Sequence, residues 1–232
     1  MPKSNLWTLT CKPVVVLFAA FAMLVGCGDS NGTSVDEVQW NGDKGTFTDS
    51  RDGQSYKAIA IGSVIWMAEN LSYKTENSKC YDEKADKCKY GRHYSWDEAL
   101  IACPAGWHLP SKREFIALFA AVDMNNSEVD TSNAAYFIME DVGYALKSQK
   151  GWVNEEGKSV NGSDAYSFTA LPAGCWNAED LDFVLQGEQA DFWSSTETDS
   201  NFSYCATMGE NAYVTVISCG VKFGRSVRCV KD

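Results

Sequence analysis

The stretch Cys103-Pro-Ala-Gly-Trp-His-Leu-Pro110 predicts a rigid loop between two helical patterns, and it decides how the surrounding chain is organised. Upstream of this loop, Ser95 and Glu98 have the spacing of a helix-capping box. Apolar residues then recur at helical intervals, at Trp96, Ala99, Leu100 and Cys103. Pro104 ends this first predicted helix because proline removes a backbone donor.

A second helix is predicted directly after the loop. Ser111 and Glu114 repeat the capping-box spacing, and one apolar face follows at Phe115, Leu118, Phe119 and Val122. We expect Trp107 and Leu109 to turn back from the loop onto the core.

Short strands are predicted on both sides of the two helices. Upstream, apolar runs flank Asp52-Gly53 and Gly62-Ser63, which is the pattern of β-hairpins. Downstream, strands are predicted at 166–171, 192–195, 204–208, 212–218 and 226–230. The predicted helices come early in the chain and most of the predicted strands come late, so strands and helices do not alternate regularly. This order predicts an α+β domain with antiparallel strand pairing.

The first 26 residues have the pattern of a bacterial lipoprotein signal peptide. Lys3 and Lys12 precede an apolar run from 14 to 25, which is too short for a permanent membrane span. Leu24-Val25-Gly26-Cys27 resembles a lipobox, so we expect Cys27 to be the acylated N-terminus that anchors the protein to membrane lipid. An ordinary signal peptide with a chance cysteine is the alternative. The expected location is the cell envelope, at the outer membrane or cell surface.

Residues 27–45 are polar and acidic and have no apolar periodicity, so they predict a lipidated, flexible tether before a single domain over 46–232.

The chain has 20 Lys and Arg against 31 Asp and Glu, a formal net charge of −11. Loss of Lys3 and Lys12 with the signal peptide would make the net charge −13. So negative a chain argues against nucleic acid as a partner.

Six ordered blocks of sequence resemble the Fibrobacter succinogenes major paralogous domain family. They are Ile65–Leu71, Tyr90–Trp96, Cys103–Ser111, Phe168–Gly174, Phe192–Thr196 and Ser226–Asp232. The resemblance covers about Asp49 to Asp232, and the family has no established activity. It further implies a C-type-lectin-like fold, also found in formylglycine-generating enzymes. In that fold two early helices pack on a twisted, disulfide-stapled antiparallel sheet, and the chain ends meet in one hairpin.

Seven cysteines remain after the predicted processing, and outside the cytoplasm disulfides persist. Cys80 and Cys88 flank seven polar residues, a spacing that favours a local disulfide; zinc is disfavoured because the chain has only two histidines. The lectin-like resemblance implies two further disulfides, Cys103–Cys229 and Cys205–Cys219. Cys175 is left over, either as a buried thiol or as a partner in intermolecular pairing.

No catalytic residues are predicted, and we expect the protein not to be an enzyme. The sequence has no G-x-S-x-G motif, and His93 and His108 are the two candidate bases. Both histidines sit in motif blocks and are expected in the core or at the surface. Formylglycine-generating enzymes use a C-terminal cysteine pair separated by four residues, whereas thirteen residues lie between Cys205 and Cys219 and nine between Cys219 and Cys229.

The predicted ligand surface lies in the polar loop region 151–191 and the strands beside it. Trp152, Trp176 and Tyr213 fall outside the strongest family blocks, so we expect them to form a stacking surface, with Asp180 and Asp182 nearby. Calcium is an alternative ligand for an oxygen-rich group made of Asn161, Asp164, Asn177, Glu179, Asp180 and Asp182. A solvated acidic loop is favoured over that site, so no cofactor and no metal are assigned.

The sequence therefore predicts a cell-envelope lipoprotein whose lectin-like domain serves binding or adhesion, with a glycan or an envelope protein as ligand. Two alternatives stay open: an enzyme on the same scaffold that acts on surface glycans or proteins, and a purely structural envelope subunit.

Overall fold

The domain is mostly β-sheet. The structure is a computed structural model, and it describes residues 37–81, 88–123, 137–139 and 141–232. Among these residues, those in strands outnumber those in helices by more than two to one. The strands form three antiparallel sheets. The predicted α+β, C-type-lectin-like fold is therefore wrong. Helical periodicity is confined to three short segments, whereas extended segments of two to ten residues fill much of the described chain.

The first sheet has six strands and contains both the start and the end of the domain. In spatial order these are β1 (Gln39–Asn41), β2 (Lys44–Thr48), β3 (Ser55–Ile61), β4 (Val64–Met67), β13 (Val230–Lys231) and β5 (Trp107–His108). The C-terminal strand β13 pairs with β4 and β5, whereas β1 lies at the sheet edge. The expected hairpin between the two chain ends is thus also wrong, since three strands separate them.

The second sheet has four strands and the third has three. The second contains β6 (Phe137–Met139), β11 (Val214–Gly220), β10 (Phe202–Met208) and β9 (Ala190–Asp199), in that spatial order. The third contains β12 (Phe223–Gly224), β7 (Cys175–Asn177) and β8 (Asp182–Val184). The predicted strand at 166–171 is absent, and the β7–β8 hairpin lies inside the region predicted to be loop.

Both predicted helices are present, and a third short helix follows them. They are α1 (Trp96–Ala102), α2 (Lys112–Val122) and α3 (Val142–Leu146). Ser111 and Glu114 form a reciprocal capping box, and the four apolar residues predicted on the face of α2 are buried. In α1, Ser95 caps the N-terminus as predicted, but Leu100 is exposed.

The folded region begins before position 46. Residues 39–45, predicted as the end of the tether, form β1 and the start of β2, because Gly42 at a positive φ of 64° allows a two-residue turn between them. The predicted signal peptide 1–26, the lipidation site Cys27 and the tether up to residue 36 lie outside the described residues.

One fully buried arginine joins several parts of the core. The guanidinium of Arg228 donates to Asn70 Oδ1 at 2.7 Å and to the backbone oxygens of Met67, Phe168 and Thr169. It also lies 4.6 Å from the centroid of the Phe168 ring. Burial lowers the pKa of Arg228 to about 9. These bonds satisfy a charge that would otherwise be too costly to bury.

All three predicted disulfides are present. The Cα–Cα distances are 5.3 Å for Cys80–Cys88, 5.9 Å for Cys103–Cys229 and 5.9 Å for Cys205–Cys219, all within the normal range. Cys103–Cys229 joins the C-terminal end of α1 to the last strand region across 126 positions. Cys175 is unpaired and buried.

Candidate binding surface

Three aromatic side chains meet where the β7–β8 hairpin packs beside the Cys80–Cys88 disulfide. Trp176 and Phe183 are directly opposite each other in the hairpin, so their side chains share one face, and their ring centroids are 4.8 Å apart. Tyr81, the neighbour of Cys80, places its ring 5.0 Å from that of Phe183. We call Tyr81, Trp176 and Phe183 the aromatic cluster. Tyr81 is 45% exposed, and the other two are partly exposed.

Close backbone packing fixes the position of the hairpin. Gly174, directly before β7, has a φ of +64°, and a Cβ there would lie within 2.1 Å of the backbone oxygen of Val184. Only glycine fits such a position without rearrangement. The opposite face of the hairpin carries the buried Cys175. The aromatic cluster is therefore held by a hairpin with one face anchored in the domain.

Hydrogen-bonding side chains lie at the end of the same hairpin. Asn177 Nδ2 donates to Asp180 at 2.6 Å, and the ammonium of Lys222 contacts the Glu179 carboxylate at 2.5 Å. Asp182 is exposed beside them in β8. On the other side, the Lys79 ammonium lies 6.0 Å from the centroid of the Trp176 ring. The surface thus combines apolar rings with carboxylate, amide and ammonium groups.

A buried histidine supports the cluster from below. His93 is 1% exposed, and its ring packs edge-on against Phe183 at 5.2 Å. Its Nε2 lies 3.1 Å from the backbone oxygen of Ala173 and 3.2 Å from that of Gly174, so this nitrogen carries the proton and donates. Burial lowers the pKa of His93 to about 4.

A second buried polar group lies behind the hairpin. The carboxylate of Asp191 accepts hydrogen bonds from Gln189 and Thr207 at 2.9 Å and faces Arg225 Nε at 3.8 Å. Burial raises the pKa of Asp191, and burial together with this carboxylate raises the pKa of the Cys175 thiol to about 11. A thiol with so high a pKa is a poor nucleophile.

The predicted ligand surface is only partly assembled. Trp176, Asp180 and Asp182 lie together on the β7–β8 hairpin. Trp152 is 1% exposed and belongs to the core, where its Nε1 donates to Ser148 and to the backbone of Ala170. This assignment to the surface is therefore wrong. It failed because a tryptophan outside the family blocks is not thereby exposed.

Tyr213 is exposed but belongs to a different region. It lies in the turn between β10 and β11 of the second sheet, whereas Trp176 and Phe183 of the aromatic cluster lie in the third sheet. Sequence reasoning missed Tyr81 and Phe183. The available signal was the alternation of Phe183 with the acidic Asp182 and Asp180, which is typical of a short hairpin strand.

The oxygen-rich residues considered for calcium are divided between two loops. Asp164 accepts hydrogen bonds from the backbone and hydroxyl of Thr169, and Asn161 accepts one from the backbone of Trp152. Asn177 to Asp182 lie in the β7–β8 hairpin. Over the described residues, no group of three or more His, Cys, Asp or Glu side chains is arranged to hold a metal ion.

The second histidine is held between two carboxylates. His108 Nδ1 lies 2.6 Å from Asp232 and its Nε2 lies 2.9 Å from Glu114. Both ring nitrogens are therefore engaged, and the ring links β5 to the start of α2 and to the C-terminus.

In the described part of the chain, no helix is long and apolar enough to cross a membrane.

Comparison with known families identifies the domain. The sequence model of the Fibrobacter succinogenes major domain matches residues 59–231. The chain belongs to this family. The match begins in β3 and ends in β13, so the Fibrobacter succinogenes major domain includes the aromatic cluster, all three disulfides and the buried Arg228, whereas β1 and β2 precede it.

No curated protein matches the chain. No solved structure matches it either.

Proposed function

We propose that this protein is a lipid-anchored protein of the bacterial cell envelope that binds a neutral glycan at the aromatic cluster. The exposure of Tyr81 is the observation that carries the proposal. Its ring contacts Phe183, which in turn packs against Trp176, so the three rings form one continuous apolar surface. Clustered apolar groups at a protein surface mark a site for a ligand or partner.

Sugar rings suit this combination of groups. The C–H groups on one face of a pyranose ring pack against an aromatic ring, whose face carries partial negative charge. The hydroxyl groups at the ring edge require donors and acceptors, which Asn177, Asp180 and Asp182 supply at the end of the hairpin. The net charge of −11 disfavours anionic polymers, so a neutral glycan is the better match.

The predicted anchor supports a role at the membrane surface. Acylation of Cys27 would attach the chain to lipid, and the polar residues that follow would separate the domain from the head groups. Binding therefore takes place at the cell envelope, where polysaccharides and their fragments are available.

A partner protein is the second candidate ligand, and two exposed leucines favour it. Leu181 and Leu185 lie in and after the β7–β8 hairpin and have positive φ values of 55° and 60°. Leucine is disfavoured in this conformation, and such strain is often found at binding sites. An apolar protein surface would cover both side chains, whereas a sugar chain would not.

A polysaccharide screen tests the proposal. The full chain, kept in a polyoxyethylene detergent so that no sugar headgroup competes, is incubated with insoluble cellulose, xylan, mannan and chitin in calcium and in EDTA. We expect retention on at least one neutral polysaccharide in both conditions. A folded chain that is retained on none of them would contradict glycan binding, and capture by an envelope protein that is lost in Leu181→Asn would favour the second candidate.

A further inference from the structure

A cleft in a different part of the domain has the size of a small-molecule site. Its volume is about 530 Å³, and it lies between the C-terminal end of α2, the helix α3 and residues 163–166. Pockets for small ligands typically have volumes of roughly 300–1,000 Å³. The residues of the aromatic cluster do not line this cleft, so it is independent of the proposed glycan site.

The walls of the cleft are mainly apolar and include two tyrosines. Val122 at the end of α2, Ala145 in α3 and Ala212 before β11 form the aliphatic part. Tyr144 and Tyr166 add aromatic rings, and Tyr144 is 54% exposed. An exposed tyrosine beside an apolar cleft offers a ring to a bound ligand.

Close backbone contacts hold these walls in position. The N–H of Gly143 donates to the backbone oxygen of Ala212 at 2.8 Å, and a Cβ on Gly143 would lie 2.7 Å from that oxygen. The Lys147 ammonium donates to the backbone oxygens of Gly209, Glu210 and Asn211 at 3.1–3.2 Å. The turn between β10 and β11 is therefore fixed against α3, and the cleft is preformed.

The two charged side chains among the described residues that line the cleft are both acidic. Asp123 and Asp141 both line it, and the C-terminal end of α2 adds the partial negative charge of its backbone carbonyls. Asp141 has a φ of +63°, an uncommon conformation, and its side chain makes no capping hydrogen bond to α3. The nearby Lys147 ammonium is directed at the carbonyls of the β10–β11 turn.

From these features we infer that the cleft binds a small organic ammonium ion. Aromatic rings attract a cation through the negative charge of their faces, and ligand ammonium groups are recognised in this way. The exposed carboxylate of Asp141 at the rim adds attraction for a positive charge and repels an anion. The apolar walls suit the alkyl or aryl groups of such a ligand, whereas a bare metal ion would find few oxygen ligands there.

Three probes of similar size separate charge from shape. Benzyltrimethylammonium, benzyl alcohol and phenylacetate are titrated into the full chain, and saturation-transfer NMR of each probe reports binding. We expect the cation to bind more tightly than the alcohol and the anion to bind most weakly. Equal binding of all three probes, or binding of none, would overturn the inference.

Substitutions then locate the bound cation. Tyr144→Leu removes a ring and Asp141→Asn removes a charge while keeping a residue that tolerates positive φ. Each is expected to weaken binding of benzyltrimethylammonium by about threefold, which corresponds to about 0.65 kcal/mol. Tyr213→Leu, at an exposed tyrosine that does not line the cleft, is the control and should leave binding unchanged.

A filled cleft gives a further test. Ala145→Phe adds a ring in place of the ligand and should abolish binding of the cation. If this variant is unfolded by thermal melting, Tyr144→Leu and Asp141→Asn decide the question alone, since both lie at exposed positions. Unchanged affinity in those two variants would place the cation elsewhere and contradict the inference.

Discussion

The ring of His93 packs edge-on against the ring of Phe183, with 5.2 Å between the ring centroids. This contact joins the aromatic cluster at the surface to a fully buried polar side chain. Nε2 donates to two backbone oxygens, and the buried Nδ1 has no hydrogen-bond partner among the residues that the structure describes, so the ring is neutral in the folded protein. The support of the candidate site therefore depends on the protonation state of one residue.

Stability should fall in mild acid because of His93. Its pKa is lowered from 6.5 to about 4, so between these values the unfolded chain binds a proton that the folded chain does not. The stabilisation is complete above pH 6.5 and is lost as the pH falls towards 4, by up to about 3 kcal/mol. Urea denaturation at pH 7, 5.5 and 4 measures this loss.

His93→Gln is the comparison for that experiment, because its amide also donates to backbone oxygens but does not titrate. The free energy of unfolding of this variant should depend less steeply on pH between 6.5 and 4. Parallel pH dependences in the two proteins would show that His93 titrates normally and is not the cause.

Replacing Arg228 should destabilise the domain strongly. Arg228→Met removes the donor to Asn70 and to three backbone oxygens in the core, which leaves buried acceptors without partners. Loss of one side of a buried, bonded charge typically costs about 3–5 kcal/mol. Arg113→Met, at an exposed position in α2, should change stability by less than about 0.5 kcal/mol. Equal melting temperatures for the two variants would contradict the role assigned to Arg228.

The three disulfides should contribute unequally to stability. Cys103–Cys229 closes a loop of 126 positions and Cys80–Cys88 one of 8. In the chain-entropy model these loops correspond to about 5 and about 2.5 kcal/mol. Paired Cys→Ser variants of each bridge, compared by thermal melting, should show the larger loss of stability for Cys103–Cys229.

Non-reducing peptide mapping checks the pairing itself, and any fragment that joins Cys175 to another cysteine would contradict it.

Replacement of Cys27 should prevent lipidation of the protein. Cys27→Ser removes the thiol that the predicted lipidation requires, so the variant should leave the membrane fraction of a bacterial host or remain unprocessed. Mass spectrometry of the mature N-terminus provides the measurement. An unmodified N-terminus at another residue in the parent chain would favour an ordinary signal peptide instead.

The local parts of the fold were predictable because short-range chemistry determines them. The capping box at Ser111 and Glu114 and the apolar face of α2 are set within one helical turn or two. The Asp52-Gly53 and Gly62-Ser63 turns between β2, β3 and β4 follow equally from local residue preferences.

The sheet arrangement was not predictable in the same way. Pairing of β13 with both β4 and β5 brings together residues more than 100 positions apart, and no local pattern encodes it. The aromatic cluster has the same origin, since Tyr81 meets Phe183 only after the third sheet has packed beside the Cys80–Cys88 disulfide. Trp152 was predicted at the surface but is buried. Its burial depends on the carbonyl and hydroxyl acceptors that Ala170 and Ser148 supply, and these are brought to it by the tertiary fold.

The central claim is that the exposed face of the aromatic cluster binds a glycan, and one matched pair of variants tests it. Tyr81→Ala removes a ring that is 45% exposed, and Phe202→Ala removes another ring of the same exposure in β10. Isothermal titration of both variants and the parent chain with soluble oligosaccharides of the retained polysaccharide gives their affinities. The account predicts at least a tenfold loss, about 1.4 kcal/mol, for Tyr81→Ala and none for Phe202→Ala. Equal affinity of Tyr81→Ala and the parent would contradict it.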